Sequence, residues 1–232
     1  MKIIILVLTY DDNGGGFSLM DRCIKSTWGN VEREGVEIFY HYSKPLENEE
    51  YIVEGNNIIC NGYESYYSIG HKTIKSFKYL INKDFDFLLR TNSSSFIHID
   101  NLVKYLKNKP TKKFYSGSPI PHHSVDLNID FATGSGYILS KDLVEYVVNN
   151  EEKWNHYYPD DVSLGKMMKD YEINFIPKEW MKVTTIPDEN LLVNINDTFH
   201  IRCKIETSFD NESQCEIIKK LYKLIYEKKN NI

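Results

Sequence analysis

An unbroken apolar run, Ile3 to Leu8, opens the chain with the pattern of a strand covered on both faces. Gly14-Gly15-Gly16 follows as a flexible turn before the segment Phe17 to Trp28, so the chain begins strand, loop, helix, with Trp28 assigned to the core. Val36 to Tyr42 and Asn57 to Cys60 have the composition of further strands, and the acidic, proline-containing stretch Ser43 to Glu54 is expected to be a solvated loop. From Tyr66 to Ile81, apolar residues at Ile69, Ile74, Phe77, Tyr79 and Leu80 share one helical face, with Lys72, Lys75 and Lys78 elsewhere. A strand is expected at Phe85 to Leu89, a helix at Leu102 to Leu106, a strand at Lys113 to Gly117 and a helix at Lys141 to Asn149. A further helix near Val162 to Lys169 and a strand at Ile173 to Pro177 complete the pattern. Strand and helix alternate, which predicts an α/β fold with a mostly parallel central sheet covered by helices.

At 232 residues the chain has the length of one domain. The expected division is a donor-nucleotide half at 1–110, an acceptor and catalytic half at 111–205 and a C-terminal helix at 206–232, with a Lys- and Asn-rich tail from Glu227 that frays. The 28 basic and 33 acidic residues give a net charge of -5, and no Lys/Arg run supplies the basic stripe that a nucleic-acid backbone requires. The opening apolar run is too short to span a membrane and meets no cleavage site, so no transmembrane segment is expected. The four cysteines, Cys23, Cys60, Cys203 and Cys215, lack CxxC spacing and are expected as free thiols in a reducing, cytoplasmic compartment. The sequons beginning at Asn92, Asn196 and Asn211 are then chance matches in an Asn-rich sequence.

In open α/β sheets ligands gather at the carboxyl ends of strands. Three segments there are rich in chemistry. Leu89-Arg90-Thr91-Asn92-Ser93-Ser94-Ser95-Phe96 is a dense set of small polar groups directly after an apolar strand. Phe131-Ala132-Thr133-Gly134-Ser135-Gly136-Tyr137 carries glycines expected to form a tight turn close to a ligand, ahead of a helix. Tyr157-Tyr158-Pro159-Asp160-Asp161-Val162 sets two adjacent carboxylates at a helix start, where capping is the structural alternative for Asp160. Gly14 to Gly16 does not extend into GxGxxG, because Leu19 holds the last glycine position, which removes a dinucleotide fingerprint. His122-His123 point apart as neighbours in sequence and are assigned to a loop.

Taken together these segments resemble the galactosyltransferase and fringe-like β-1,3-glycosyltransferases of the GT31 type. The resemblance runs from Ile24-Lys25-Ser26-Thr27-Trp28-Gly29, through Arg90 to Phe96 and Tyr115-Ser116-Gly117, to Gly134-Ser135-Gly136-Tyr137-Ile138-Leu139-Ser140 and Asp160-Asp161-Val162-x-x-Gly165. It implies a single GT-A domain with a Rossmann-like nucleotide-binding half, a nucleotide-sugar donor (a UDP-sugar first), a glycan or glycoconjugate acceptor, and an inverting single displacement. Asp161 matches the family's catalytic aspartate and is assigned as general base, an ordinary aspartate being ionised at neutral pH. Asp160 would orient it or bind acceptor hydroxyls. Where the family carries its Asp-x-Asp metal motif this chain has Asn92-Ser93-Ser94, neutral oxygens that weaken binding of Mn²⁺ or Mg²⁺. If a metal binds, its ligands would be Asn92, Ser94 and His200, the last matching a histidine near the end of the family's catalytic domain. Without one, the departing diphosphate must meet basic groups, and the two-residue period of a strand would put His200, Arg202 and Lys204 on one face as a cradle. Thr9 and Asp11 end the first strand where a nucleotide would lie, with Lys25 or Arg90 reaching a phosphate or ribose. Gly134, Ser135 and Gly136, with Trp154, Tyr157 and Tyr158 beside the carboxylates stacking on a ring, are assigned to substrate. A catalytically silent glycan- or nucleotide-binding module and a donor hydrolase are the alternatives.

Overall fold

The computed structural model describes residues 1–12, 14–120, 129–195, 197–205 and 210–227, so His122-His123 and the sequon at Asn196 lie outside the described residues. In chain order the first elements are β1 (Ile3–Leu8), α1 (Gly16–Lys25), β2 (Val36–Lys44), β3 (Tyr51–Glu54), β4 (Asn57–Asn61), α2 (Ile69–Leu80), β5 (Phe87–Asn92), β6 (Ser95–Ile97) and α3 (Ile99–Leu106). There follow β7 (Tyr115–Pro119), β8 (Ala132–Ser140), α4 (Lys141–Asn149), α5 (Asp160–Asp170), β9 (Phe175–Pro177), β10 (Met181–Lys182), α6 (Glu189–Asn194), β11 (His200–Arg202) and α7 (Asn211–Tyr222). They form two compact units that interleave along the chain. The larger is Met1–Asp11, Gly35–Asn92 and Lys109–Glu179; the second is Asp12–Glu34, Ser93–Asn108 and Trp180–Ile232. The linear halves 1–110 and 111–205 therefore do not coincide with the compact units.

The larger unit is built on an eight-stranded sheet in the order β3-β4-β2-β1-β5-β8-β7-β9. β1 pairs in parallel with β2 and β5, β2 with β4, and β7 with β9, while β3 and β8 run antiparallel to their neighbours. On one face Ile4, Leu6, Phe39, Leu88 and Leu139 meet Ile74, Phe77 and Leu80 of α2, Leu143, Val144 and Val147 of α4, and Val162, Leu164, Met167 and Met168 of α5. Each such side chain taken from water contributes roughly 1.5–3 kcal/mol. That burial holds the three helices to the sheet.

Three sequence expectations change. β3 lies inside the stretch assigned to a solvated loop; Tyr51-Ile52-Val53 has strand-forming side chains and pairs against Cys60 to Ile58 of β4. The glycine-containing segment after Phe131 is not a turn but β8, with Arg90 opposite Tyr137 and Thr91 opposite Gly136. Its glycines answer close packing, since a Cβ on Gly134 would sit 3.1 Å from Asp161 Oδ2, and one on the facing Gly117 would sit 2.8 Å from the Gly136 carbonyl oxygen. Lys72, placed away from the apolar face of its helix, is 2% exposed.

In the second unit β11 lies between β10 and β6, parallel to the first and antiparallel to the second, with Arg202 opposite Ser95. Trp28 is fully buried and its indole N–H donates to the Ser95 carbonyl at 3.1 Å. Asp12, ahead of the cap position at Gly15, accepts from the Phe17 and Ser18 amides of α1 at 2.8 and 3.0 Å, and Asp210 caps α7 through the Ser213 amide at 2.9 Å. All four cysteines are buried and free. No helix among the described residues is long and apolar enough to cross a membrane.

Candidate active site

β5 and β8 run side by side in the middle of the sheet, and the amino end of α5 meets them. The meeting point is Gly134, whose amide donates to Asp161 Oδ2 at 2.6 Å while its carbonyl accepts from the Arg90 guanidinium and, at 3.4 Å, from Asn92 Nδ2. Asp161 Oδ1 accepts from the Val162 amide at 2.9 Å. Two backbone N–H groups thus fix a half-buried carboxylate that keeps lone pairs for a further donor. Asp160 points the other way, into the protein, where Arg90 Nη2 lies 2.7 Å from its Oδ2; the two side chains are 7% and 1% exposed. Burial raises the Asp160 carboxyl above the ordinary aspartate range, against the pull of Arg90 and with the push of Asp161.

This arrangement revises several assignments. Asp160 is neither a helix cap, since Pro159 holds the cap position, nor open to acceptor hydroxyls. Arg90 is committed to Asp160 and Gly134 and does not reach outward to a phosphate or ribose. Ser135 is a strand residue whose carbonyl accepts from Thr91 Oγ1 at 3.1 Å, and Gly136 faces Thr91 across the ladder. Trp154 is 4% exposed, so no sugar ring can stack on it, and the half-buried Tyr158 ring has Lys166 Nζ 4.7 Å from its centre.

Thr9 and Asp11 follow the carboxyl end of β1, which closes at Leu8. Thr9 is buried, its amide and hydroxyl both donating to the His41 carbonyl at 3.0 and 3.3 Å, and Asp11 is ion-paired to Lys44 at 2.8 Å. Beneath them Lys72 Nζ donates to the Thr9 carbonyl at 3.1 Å and to Glu64 Oε2 at 2.6 Å, and Glu64 also accepts from the Ser43 amide at 2.5 Å. Burial lowers the Lys72 pKa while Glu64 opposes the fall. The neighbouring His41 is fully buried against Ser76 Oγ at 3.0 Å, and desolvation, reinforced by Lys72 and Arg90, holds its pKa well below the usual value. No short motif announces this cluster, because Glu64 sits eight positions before Lys72, outside helical spacing.

In the second unit His200 is buried with Nε2 3.0 Å from Ser95 Oγ, and burial, then Arg202, lowers its pKa to about 3. It is neutral at physiological pH and lends no charge to a cradle. Arg202 Nη1 lies 3.5 Å from the same Ser95 hydroxyl, whereas Lys204 falls beyond the end of β11 and is exposed. Lys25 is ion-paired to Asp21 at 2.7 Å.

The Asn92-Ser93-Ser94 segment offers a divalent cation one amide and two hydroxyls, and no group of three His, Cys, Asp or Glu side chains among the described residues is arranged to hold a metal. The residues present therefore do not fit the Mn²⁺ or Mg²⁺ that the Asp-x-Asp families hold.

Comparison with known proteins bears on the fold and on the family. By fold, the chain is similar to a glycosyltransferase involved in the glycosylation of the major capsid of PBCV-1, with a TM-score of 0.51 and 15% identity over 94% of this chain and 99% of that one. It is likewise similar to the glycosyltransferase GlyE of Streptococcus pneumoniae TIGR4, with a TM-score of 0.52 and 8% identity over all of this chain and 64% of that one. The architecture is that of the GT-A glycosyltransferases. By sequence, the UDP-GalNAc:beta-1,3-N-acetylgalactosaminyltransferase 2 of Xenopus laevis is 27% identical over 176 residues, which cover 66% of this chain and 36% of the relative. UDP-GalNAc:beta-1,3-N-acetylgalactosaminyltransferase 1 of Homo sapiens is 25% identical over 195 residues, covering 68% and 58%. The chain thus spans only part of the length of these relatives. The galactosyltransferase family model matches residues 22–179, which take in Arg90, Gly134 and the Asp160-Asp161 pair, and the chain belongs to that family.

Proposed function

We propose that this chain transfers a sugar from a UDP-sugar to a hydroxyl of a glycan or glycoconjugate, with inversion at the anomeric carbon and with Asp161 as general base. The carboxylate of Asp161 carries the reading: it is half-buried and fixed by the Gly134 and Val162 amides, with its neighbour Asp160 engaged by Arg90. In a single displacement the acceptor oxygen attacks the anomeric carbon opposite the diphosphate, Asp161 takes the hydroxyl proton, and the diphosphate leaves with the bonding electrons. Arg90 and Asp160 act as positioning residues, since their ion pair braces the Gly134 position of β8 against which Asp161 is set. Relatives named for UDP-GalNAc support a UDP-sugar donor. No step is assigned to a metal.

The test is thermal stability with UDP and UDP-GalNAc, in Mn²⁺ and again in EDTA, because a ligand that binds the folded state raises the melting temperature. Equal stabilisation in both is expected. Asp161→Asn should keep that stabilisation and lose transfer by about 10²–10⁴-fold, the range of a general base. Transfer retained in Asp161→Asn overturns the assignment. The neutral Asn92-Ser94 set favours a second reading, a silent binding module, which would show UDP stabilisation with no turnover by the unmodified chain.

A further inference from the structure

Four tyrosines of the larger unit stand out from its surface: Tyr63, Tyr66, Tyr67 and Tyr157 are 80%, 66%, 78% and 96% exposed. Aromatic side chains grouped on a surface mark interaction sites, where rings exposed singly do not. The backbone beneath them is fixed. Glu64, between Tyr63 and Tyr66, is tied to the Ser43 amide and to Lys72 Nζ, and Ser65 and Ser68 close a reciprocal capping box around the Tyr66–Ser68 turn. Tyr66 and Tyr67 stand edge to face with centroids 6.0 Å apart.

Packing brings this turn beside the carboxylates. The turn leads directly into α2, whose Gly70 lies so close to Trp154 that a Cβ would be 2.7 Å from the indole nitrogen, and the His71 and His156 rings stack with centroids 3.5 Å apart. Tyr157 follows His156, and Asp160-Asp161 follow within the same turn of chain. The Tyr66 phenol feels that neighbourhood, being raised by burial first and then by Asp161 and Asp160.

We propose that Tyr66 and Tyr67, with Tyr157, form a stacking platform for a pyranose ring of the acceptor glycan. A sugar presents C–H groups on one ring face and hydroxyls around its rim, so a phenol ring meets the face while its hydroxyl meets the rim. A pinned backbone makes the contact at low ordering cost. The assignment rests on the transferase reading above; it keeps Tyr157 from the sequence expectation and puts Tyr66 and Tyr67 in place of Trp154 and Tyr158.

Saturation-transfer NMR with the methyl β-glycosides of galactose, N-acetylgalactosamine, N-acetylglucosamine, glucose and mannose tests it, with UDP stabilisation measured on the same samples. The expected result is ring-proton saturation of at least one glycoside that falls about three- to tenfold in Tyr66→Ala/Tyr67→Ala, the scale of one or two ring contacts. The Phe/Phe variant should keep most of the saturation, and UDP stabilisation should not change. Unaltered saturation in the alanine variant overturns the platform, as does a wild type that saturates no glycoside while UDP stabilises it. Saturation that depends on the tyrosines in a protein that UDP does not stabilise supports the platform and overturns the transferase reading instead.

Discussion

Asp160 and Asp161, adjacent in sequence, meet opposite surroundings: one is buried against a guanidinium, the other is half-buried on two amides. Arg90→Met would leave the Asp160 carboxyl without its counter-charge, and we expect a loss of about 3–5 kcal/mol in urea unfolding, largely recovered in Arg90→Met/Asp160→Leu. The same logic applies to Lys72→Met and its recovery with Glu64→Leu. Tyr137 behaves differently, since its buried hydroxyl has no hydrogen-bond partner among the described residues. Tyr137→Phe is therefore expected to leave the urea midpoint unchanged or raise stability by about 1 kcal/mol. The adjacency of the two aspartates was legible in the sequence, and so was the polar cluster after β5. The division of roles was not, because Arg90 and Asp160 are far apart in sequence and only the register of β5 against β8 brings Arg90 under α5.

Elements were legible where burial and periodicity agree. β1 and the start of β5 are apolar runs buried on both faces, and α2 and α4 turn apolar faces to the sheet, so their positions follow from pattern, although Lys72 joins the buried side of α2. β8 escaped because glycine signals both a bend and a close approach, and the sequence does not distinguish the two. Gly165 makes the second sense concrete. A Cβ there would lie 2.5 Å from Phe131 Cβ, so Gly165→Ala should destabilise the seat of α5 by about 1–3 kcal/mol even though alanine suits a helix better by about 1 kcal/mol. Urea midpoints of that variant against an exposed control on α5, Lys169→Ala, measure the difference. A stabilised Gly165→Ala would mean that α5 is not held where Asp161 requires it.

For the molecule as a whole, acid sensitivity follows from its buried histidines. His41 and His200 are kept neutral by burial, with His200 brought down to about 3, whereas an unfolded histidine takes its proton near pH 6.5. Below pH 6.5 the unfolded chain binds protons that the folded chain refuses, so stability is full above that pH and falls as pH drops toward the folded values. Each residue contributes a slope of about 1.4 kcal/mol per pH unit. Asp160 works in the opposite sense, its raised pKa giving relief as the pH falls. Denaturant melts between pH 7.5 and 4.5 should show the decline, and His200→Asn, provided it folds at pH 7.5, should make it shallower.

The interleaving of the two units also sets a timetable for synthesis. Once Glu179 has emerged from the ribosome every strand of the eight-stranded sheet is outside it, so the unit bearing Asp161 can close on itself from then on. The second unit cannot. Its earliest segments, with Trp28 and Phe96 among their apolar side chains, leave the ribosome long before β11, the strand that pairs with β6. For that interval its core is unfinished and its β6 edge unpaired, and the nascent chain carries its greatest exposure to misassociation in the half of the molecule that holds no part of the carboxylate site.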